Sequence, residues 1–191
     1  HEIKREGLIC DEEQYLIKTA RTNHVIQSFG YAIIEKPRSG RFDVDKAKAL
    51  GVPEGSLWSR LQHGEEVRVS AGKVIRPSQV VGASRPGRKI AYSGDTRPTD
   101  RLVRLARNAD LLIHEATLSD DLLERAQEDG HSTPSQAAET ARKAQVKKLV
   151  LTHVSSRYKT TDDLLQQAVK IFPNVEVAKD FMKLVLPLLE H

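Results

Sequence analysis

Three short apolar runs in this chain each lead into side chains that bind metals or move protons. Lys89–Tyr92 runs into Gly94 and Asp95, Ala109–Ile113 into His114 and Glu115, and Lys148–Thr152 into His153. A glycine after a short apolar run lets the chain turn sharply, so the next side chain sits at the strand's carboxyl end. In α/β proteins the crevice beyond those ends is where ligands bind. Any one of the three reads equally as an ordinary polar turn; three together, all with metal-compatible groups, point to chemistry. His24, in the polar break Arg21–Val25, and His131, just ahead of a helix start, complete the set with Asp95, Glu115 and His153. Imidazole and carboxylate together suit zinc or manganese. A carboxylate shared by two metals about 3.5–4 Å apart suits phosphodiester hydrolysis, because both the attacking and the leaving oxygen are then clamped. No H-x-H or H-E-x-x-H occurs, so spacing alone leaves other readings open.

The elements that must position these residues follow from local pattern. Strands are expected at 1–4, Glu12–Ala20 and Ser28–Ile34, the last two with alternating apolar positions. Residues 37–66, punctuated by Gly and Pro, hold two short helices, Asp43–Leu50 and Ser56–Gln62, neither with enough apolar face for a core; they read as a protruding arm. Short strands follow at Val67–Val69 and Lys73–Ile75. From Lys89 the pattern becomes strand–helix–strand, with Thr99 capping a helix over Asp100–Asn108 and a further helix near Asp121–Glu128. Thr133, Pro134 and Gln136 make a capping box for a helix to about Ala144. His131 thus lies just before a helix N-terminus, which favours an anion. A helix after Thr160-Thr161 and strands at Val175–Ala178 and Met182–Leu186 end the chain. The fold class expected is α/β (α+β).

The 191 residues suit one domain with an appendage. No apolar run approaches 18 residues, no secretory signal is visible, and the single Cys10 suits a reducing compartment, so a cytoplasmic location without a membrane is expected. Net charge is only +4, but Lys36–Asp110 holds sixteen Lys/Arg against eight Asp/Glu, as a polyanionic partner would favour. The chain lacks an initiator Met, and Leu189-Glu190-His191 reads as a tag remnant.

Read together, Asn23-His24 before Ser28-Phe29-Gly30-Tyr31, Ser93-Gly94-Asp95-Thr96, His114-Glu115-Ala116-Thr117, His131-Ser132-Thr133 and Thr152-His153-Val154-Ser155-Ser156-Arg157-Tyr158 occur in that order. This series resembles the C-terminal part of the ribonuclease Z family, tRNA 3′-processing endonucleases of the metallo-β-lactamase superfamily, over residues 2–187. The resemblance implies half of an αββα sandwich spanning 1–188, with 37–66 as a tRNA-binding arm. It implies a dinuclear zinc site in which His24 ligates one metal, His153 the other, and Asp95 bridges them. Glu115 and His131 would protonate the leaving oxygen, and Arg157 would contact phosphate. The implied partners are precursor tRNA and a second copy in a homodimer.

The family's H-x-H-x-D-H motif is absent from these residues, which leaves two ligands per zinc where catalytic zinc normally has three. The expectation for these 191 residues alone is therefore weak metal binding, no hydrolysis, and an apolar sheet face open to association. Two alternatives stand beside the nuclease: a catalytically incomplete tRNA-binding or dimerisation module, and a related small-molecule phosphodiesterase.

Overall fold

The computed structural model describes residues 2–188. The suggested tag remnant lies outside the described residues, as does His1. Two compact units are present: one runs up to Lys36 and resumes over Arg88–Pro187, and the other is Pro37–Gly87.

The larger unit is built on one seven-stranded sheet: β1 (Gly7–Asp11), β2 (Tyr15–Arg21), β3 (Phe29–Glu35), β6 (Lys89–Tyr92), β7 (Leu111–Glu115), β8 (Leu149–Thr152) and β9 (Val175–Val177), in that spatial order. Strands β1, β2, β3 and β6 pair antiparallel, while β6 to β9 pair parallel. The parallel half matters for chemistry, because it puts the carboxyl ends of β6, β7 and β8 on one rim. The crossovers carry α3 (Asp100–Ala106), α4 (Leu123–Asp129), α5 (Pro134–Ala144) and α6 (Asp162–Val169).

Residues on alternate strand positions share a face. One face supplies Ala32, Ala91, Leu112, Leu149 and Leu151 to a core completed by Ala106, Ala137, Ala138, Ala141, Ala144 and Ala168 from the helices. The many alanines let helix backbones approach the sheet closely. Gly30 does the same for α3, since a Cβ there would fall 3.3 Å from Leu102 Cδ1 and 3.0 Å from Tyr92 O. On the opposite face the register pairs Ile17 with Ile33 and Tyr31 with Tyr92, and Ile33 and Tyr92 remain exposed. One sheet with helices packed on one face is the half-sandwich that the sequence implied, with its apolar second face open.

Two strand expectations fail. Residues 2–4 form no strand; β1 lies further on at Gly7–Asp11, where a tight turn closed by Glu12 N–H to Tyr15 O at 2.8 Å folds it onto β2. Hairpin proximity, which four residues read in isolation do not reveal, decides the pairing. Met182–Leu186 forms no strand either. That segment is tied down by a side chain instead, Arg88 Nη1 donating to Leu186 O at 2.8 Å.

The smaller unit contains α1 (Val44–Ala49), α2 (Ser56–Gln62), β4 (Val67–Arg68) and β5 (Val74–Ile75). The two helices appear where expected, and Asp43 caps α1 by accepting from Lys46 N. They do not stand without a core. Ala47, Val52, Leu61, Val67, Ile75 and Val80 cluster, with Phe42, Leu57 and Trp58 against them. Strands β4 and β5, beyond residue 66, supply what the helices lack. Gly40 has no alternative residue here, because a Cβ would lie 2.0 Å from Gly82 O.

Candidate metal and proton-transfer site

His24, Asp95, Glu115, His131 and His153 come together at the rim formed by the carboxyl ends of β6, β7 and β8. Asp95 follows the Gly94 turn, where φ is +60° and a Cβ would stand 2.6 Å from Phe29 O. Ser93 N–H donates to Ile113 O at 2.9 Å, which locks the turn to β7. His24 sits in the loop between β2 and β3. That loop is sewn to the Asp95 turn by Thr22 Oγ1 to Asp95 O at 3.1 Å, Asn23 N–H to Thr96 Oγ1 at 3.0 Å, and Arg97 N–H to Asn23 O at 2.7 Å. His131 precedes α5, whose capping box is formed as expected: Thr133 accepts from Gln136 N, and Gln136 accepts from Thr133 N.

Glu115 is the hub. Its side chain is 1% exposed, and it lies inside β7 rather than beyond it. Oε1 accepts from Thr96 N–H at 2.8 Å, and Oε2 from Ser132 N–H at 3.1 Å and from the Thr117 hydroxyl at 2.7 Å. With those donors satisfied, the carboxylate also accepts from His131 Nδ1–H at 2.8 Å.

The same bookkeeping of donors fixes all three histidines. His24 Nδ1 is 2.8 Å from Gly130 O, a carbonyl that only accepts, so Nδ1 carries the proton. Thr117 spends its one hydroxyl proton on Glu115, so at 2.8 Å it accepts from His153 Nδ1–H. Each neutral ring therefore keeps a lone pair on Nε2. A metal-binding histidine usually has its second nitrogen held in this way by a carboxylate, carbonyl or similar acceptor. Ring centroids of His131 lie 5.0 Å from His24 and 5.3 Å from His153. Among the described residues, one group offers three ligand atoms mutually within 4.8 Å: Asp95, His131 and His153. The donor set fits a divalent transition metal, although the trio includes His131 where His24 was expected.

Arg157, the sixth expected residue, is exposed in the turn after β8, its backbone N–H 3.5 Å from Ser155 Oγ. His153 adopts a left-handed backbone, φ +57°, a conformation uncommon for a side chain with a Cβ. Sequence reasoning assigned no role to Thr117, Ser132 or Tyr158. Thr117 and Ser132 hold Glu115, and the Tyr158 hydroxyl accepts from Ser119 N–H at 2.8 Å and lies 3.0 Å from Ser119 Oγ. All three were visible as members of the short motifs around Glu115, His131 and His153.

The β-lactamase superfamily domain matches residues 13–154, and the chain belongs to that family. Within it, the chain resembles ribonuclease Z. It is 49% identical to "Ribonuclease Z" of Methanosarcina acetivorans over 96% of this chain and 60% of the relative. It is 52% identical to "Ribonuclease Z" of Archaeoglobus fulgidus over 94% of this chain and 59% of the relative. The crystal structure of the short form of human tRNase Z superposes with a TM-score of 0.59 at 32% identity, covering 95% of this chain and 47% of that one. The chain thus spans about three-fifths of the length of these curated relatives. No helix among the described residues is long and apolar enough to cross a membrane.

Proposed function

We propose that this chain carries the C-terminal metal and proton-transfer residues of an endoribonuclease that hydrolyses precursor tRNA at its 3′ side. The observation that supports it best is the gathering of Asp95, His131 and His153, whose ligand atoms lie mutually within 4.8 Å, with the His24 ring 5.0 Å from that of His131 and the buried Glu115 behind them. In this reading His24, Asp95 and His153 would hold the zinc, or manganese, ions. Metals so bound would polarise the phosphodiester and activate water.

The chain's own residues do the rest. Glu115 orients the His131 ring through Nδ1, which leaves Nε2 to carry a proton to the leaving oxygen. Thr117 links that carboxylate to His153, so the metal ligand and the proton donor share one support. Arg157 meets substrate phosphate. The unit Pro37–Gly87, with nine Lys/Arg against five Asp/Glu, contacts RNA backbone. Two chains associate as a homodimer in which the unit of one serves the substrate of the other.

The test exploits how that unit is attached. Glu35 N–H donates to Arg88 O at 2.9 Å, so a short glycine linker can replace Pro37–Gly87. Precursor-tRNA binding, measured against salt, should weaken more than tenfold in the deletion. Unchanged RNA binding together with turnover of a small phosphodiester would instead favour the phosphodiesterase reading.

A further inference from the structure

We infer that the exposed side of α3, with Arg101, Arg104 and Arg107, is a track for RNA backbone phosphates leading away from the rim. The inference rests on the precursor-tRNA reading and carries it onto the larger unit, since that reading assigned backbone contact to Pro37–Gly87.

The three arginines recur every third residue, so they share one side of the helix, about 4.5 Å of axial rise apart. All three are exposed, while Leu102 and Ala106 on the other side are buried. Like charges at this spacing destabilise a helix, and nothing offsets them: among the described residues no ion pair or side-chain hydrogen bond engages the three guanidinium groups. Glu6 lines the same shallow depression as Arg101 and Arg104, yet its carboxylate accepts from Arg21 N–H at 3.2 Å. Asp100, one turn before Arg104, lines a different depression, between α3 and α5.

Two lysines extend the charge. The register sets Lys18 opposite Ala32 and Lys89 opposite Ile34, on the sheet face that α3 covers. Lys89 Nζ donates to Arg107 O at 2.8 Å, which brings the far end of α3 beside them. Burial first, and the neighbouring Lys18 charge second, hold Lys89 below the ordinary lysine value. Asp110 accepts from Lys89 N–H through one oxygen but gives the other to Lys147. Cations crowded in this way without counter-charge are the footprint of a polyanion contact. Because α3 starts five residues after Asp95 and returns to the start of β7, the row begins near the rim and leads away from it. A strand whose scissile phosphate sits at the rim can lay its next phosphates along the row. An anionic bilayer fits less well, since the apolar residues of α3 are turned into the core and leave nothing to insert.

The test is precursor-tRNA binding against salt for the native chain, for Arg101→Gln/Arg104→Gln/Arg107→Gln, and for a control of equal charge change on exposed lysines, Lys170→Gln/Lys179→Gln/Lys183→Gln. Glutamine keeps the helix propensity of arginine. The arginine variant should bind at least fivefold more weakly near physiological salt, with the log–log salt slope smaller by about two to three. The control should change less than twofold. In the native chain, precursor tRNA should protect the same three arginines from phenylglyoxal, a readout that needs no variant to fold. Equal losses in both variants without protection would overturn the inference, because net charge alone would then explain them. Native affinity and slope in the arginine variant would overturn it too, and would leave the precursor-tRNA reading standing where deletion of Pro37–Gly87 still weakens binding. No precursor tRNA bound by the native chain, whether or not phosphatidylserine vesicles capture it, would overturn both.

Discussion

The ring of His24 donates from Nδ1 to the carbonyl of Gly130 at 2.8 Å, and a Cβ built on Gly130 would fall 2.6 Å from that same nitrogen. Gly130 closes α4 in the left-handed conformation, φ +88°. The end of one helix thus sets where a histidine 106 positions away can stand. Gly130→Ala should both strain the backbone, by about 1–2 kcal/mol, and displace the ring. A fall of roughly 3–8 °C in melting temperature is expected, with a shifted His24 ring signal in the NMR spectrum. An unshifted signal would show that the ring is held by something other than this contact.

Glu115→Gln keeps the shape but swaps one acceptor oxygen for an NH2 group. Among the described residues that carboxylate meets donors, from Thr96, Thr117, Ser132 and His131. A buried donor-to-donor clash follows, with an expected loss of about 2–3 kcal/mol. Urea unfolding measures it. A loss under about 0.5 kcal/mol would mean the hub relaxes and does not organise the rim.

His114 is buried inside β7, and its Nδ1–H donates to Glu115 O at 2.7 Å, while Nε2 has no partner. Burial, opposed by that hydrogen bond and by the Glu115 charge, holds its imidazole below the ordinary histidine value. The unfolded chain takes up a proton near pH 6.5, where the folded chain does not. The unfolded state then binds more protons, so stability is fully present above that pH and falls as acid is added, by at most about 1.4 kcal/mol per pH unit. His114→Gln should flatten the stability–pH slope below 6.5 by up to one proton. Parallel slopes for the two proteins would refute the assignment.

Tyr158→Phe removes the hydroxyl that joins the turn after β8 to Ser119. The neighbouring Asp120 carboxylate accepts from Ser135 N–H at 3.1 Å, so the latch continues into the start of α5. The expected loss is about 1–2 kcal/mol in urea unfolding, with weaker zinc affinity because His153 lies on the same turn. Wild-type affinity would show that the left-handed His153 is held without the latch.

Much of this arrangement is local and was legible in the chain. The Thr99 and Thr133 caps, the strand before Gly94 and the helix over Ser56–Gln62 depend on residues a few positions apart. So do the turns that present Asp95 and His153. What the sequence by itself determined was therefore a set of short strands, alternating with helices, that end in metal-compatible groups, and a resemblance that named those groups. Tertiary structure decided the rest. Only the sheet register brings Thr117 between Glu115 and His153, only the Gly130 carbonyl fixes the tautomer of His24, and only the packing of α5 sets His131 beside Asp95 and His153. A proton's position on a ring depends on which acceptor faces it, and here those acceptors come from distant elements, beyond the reach of local pattern.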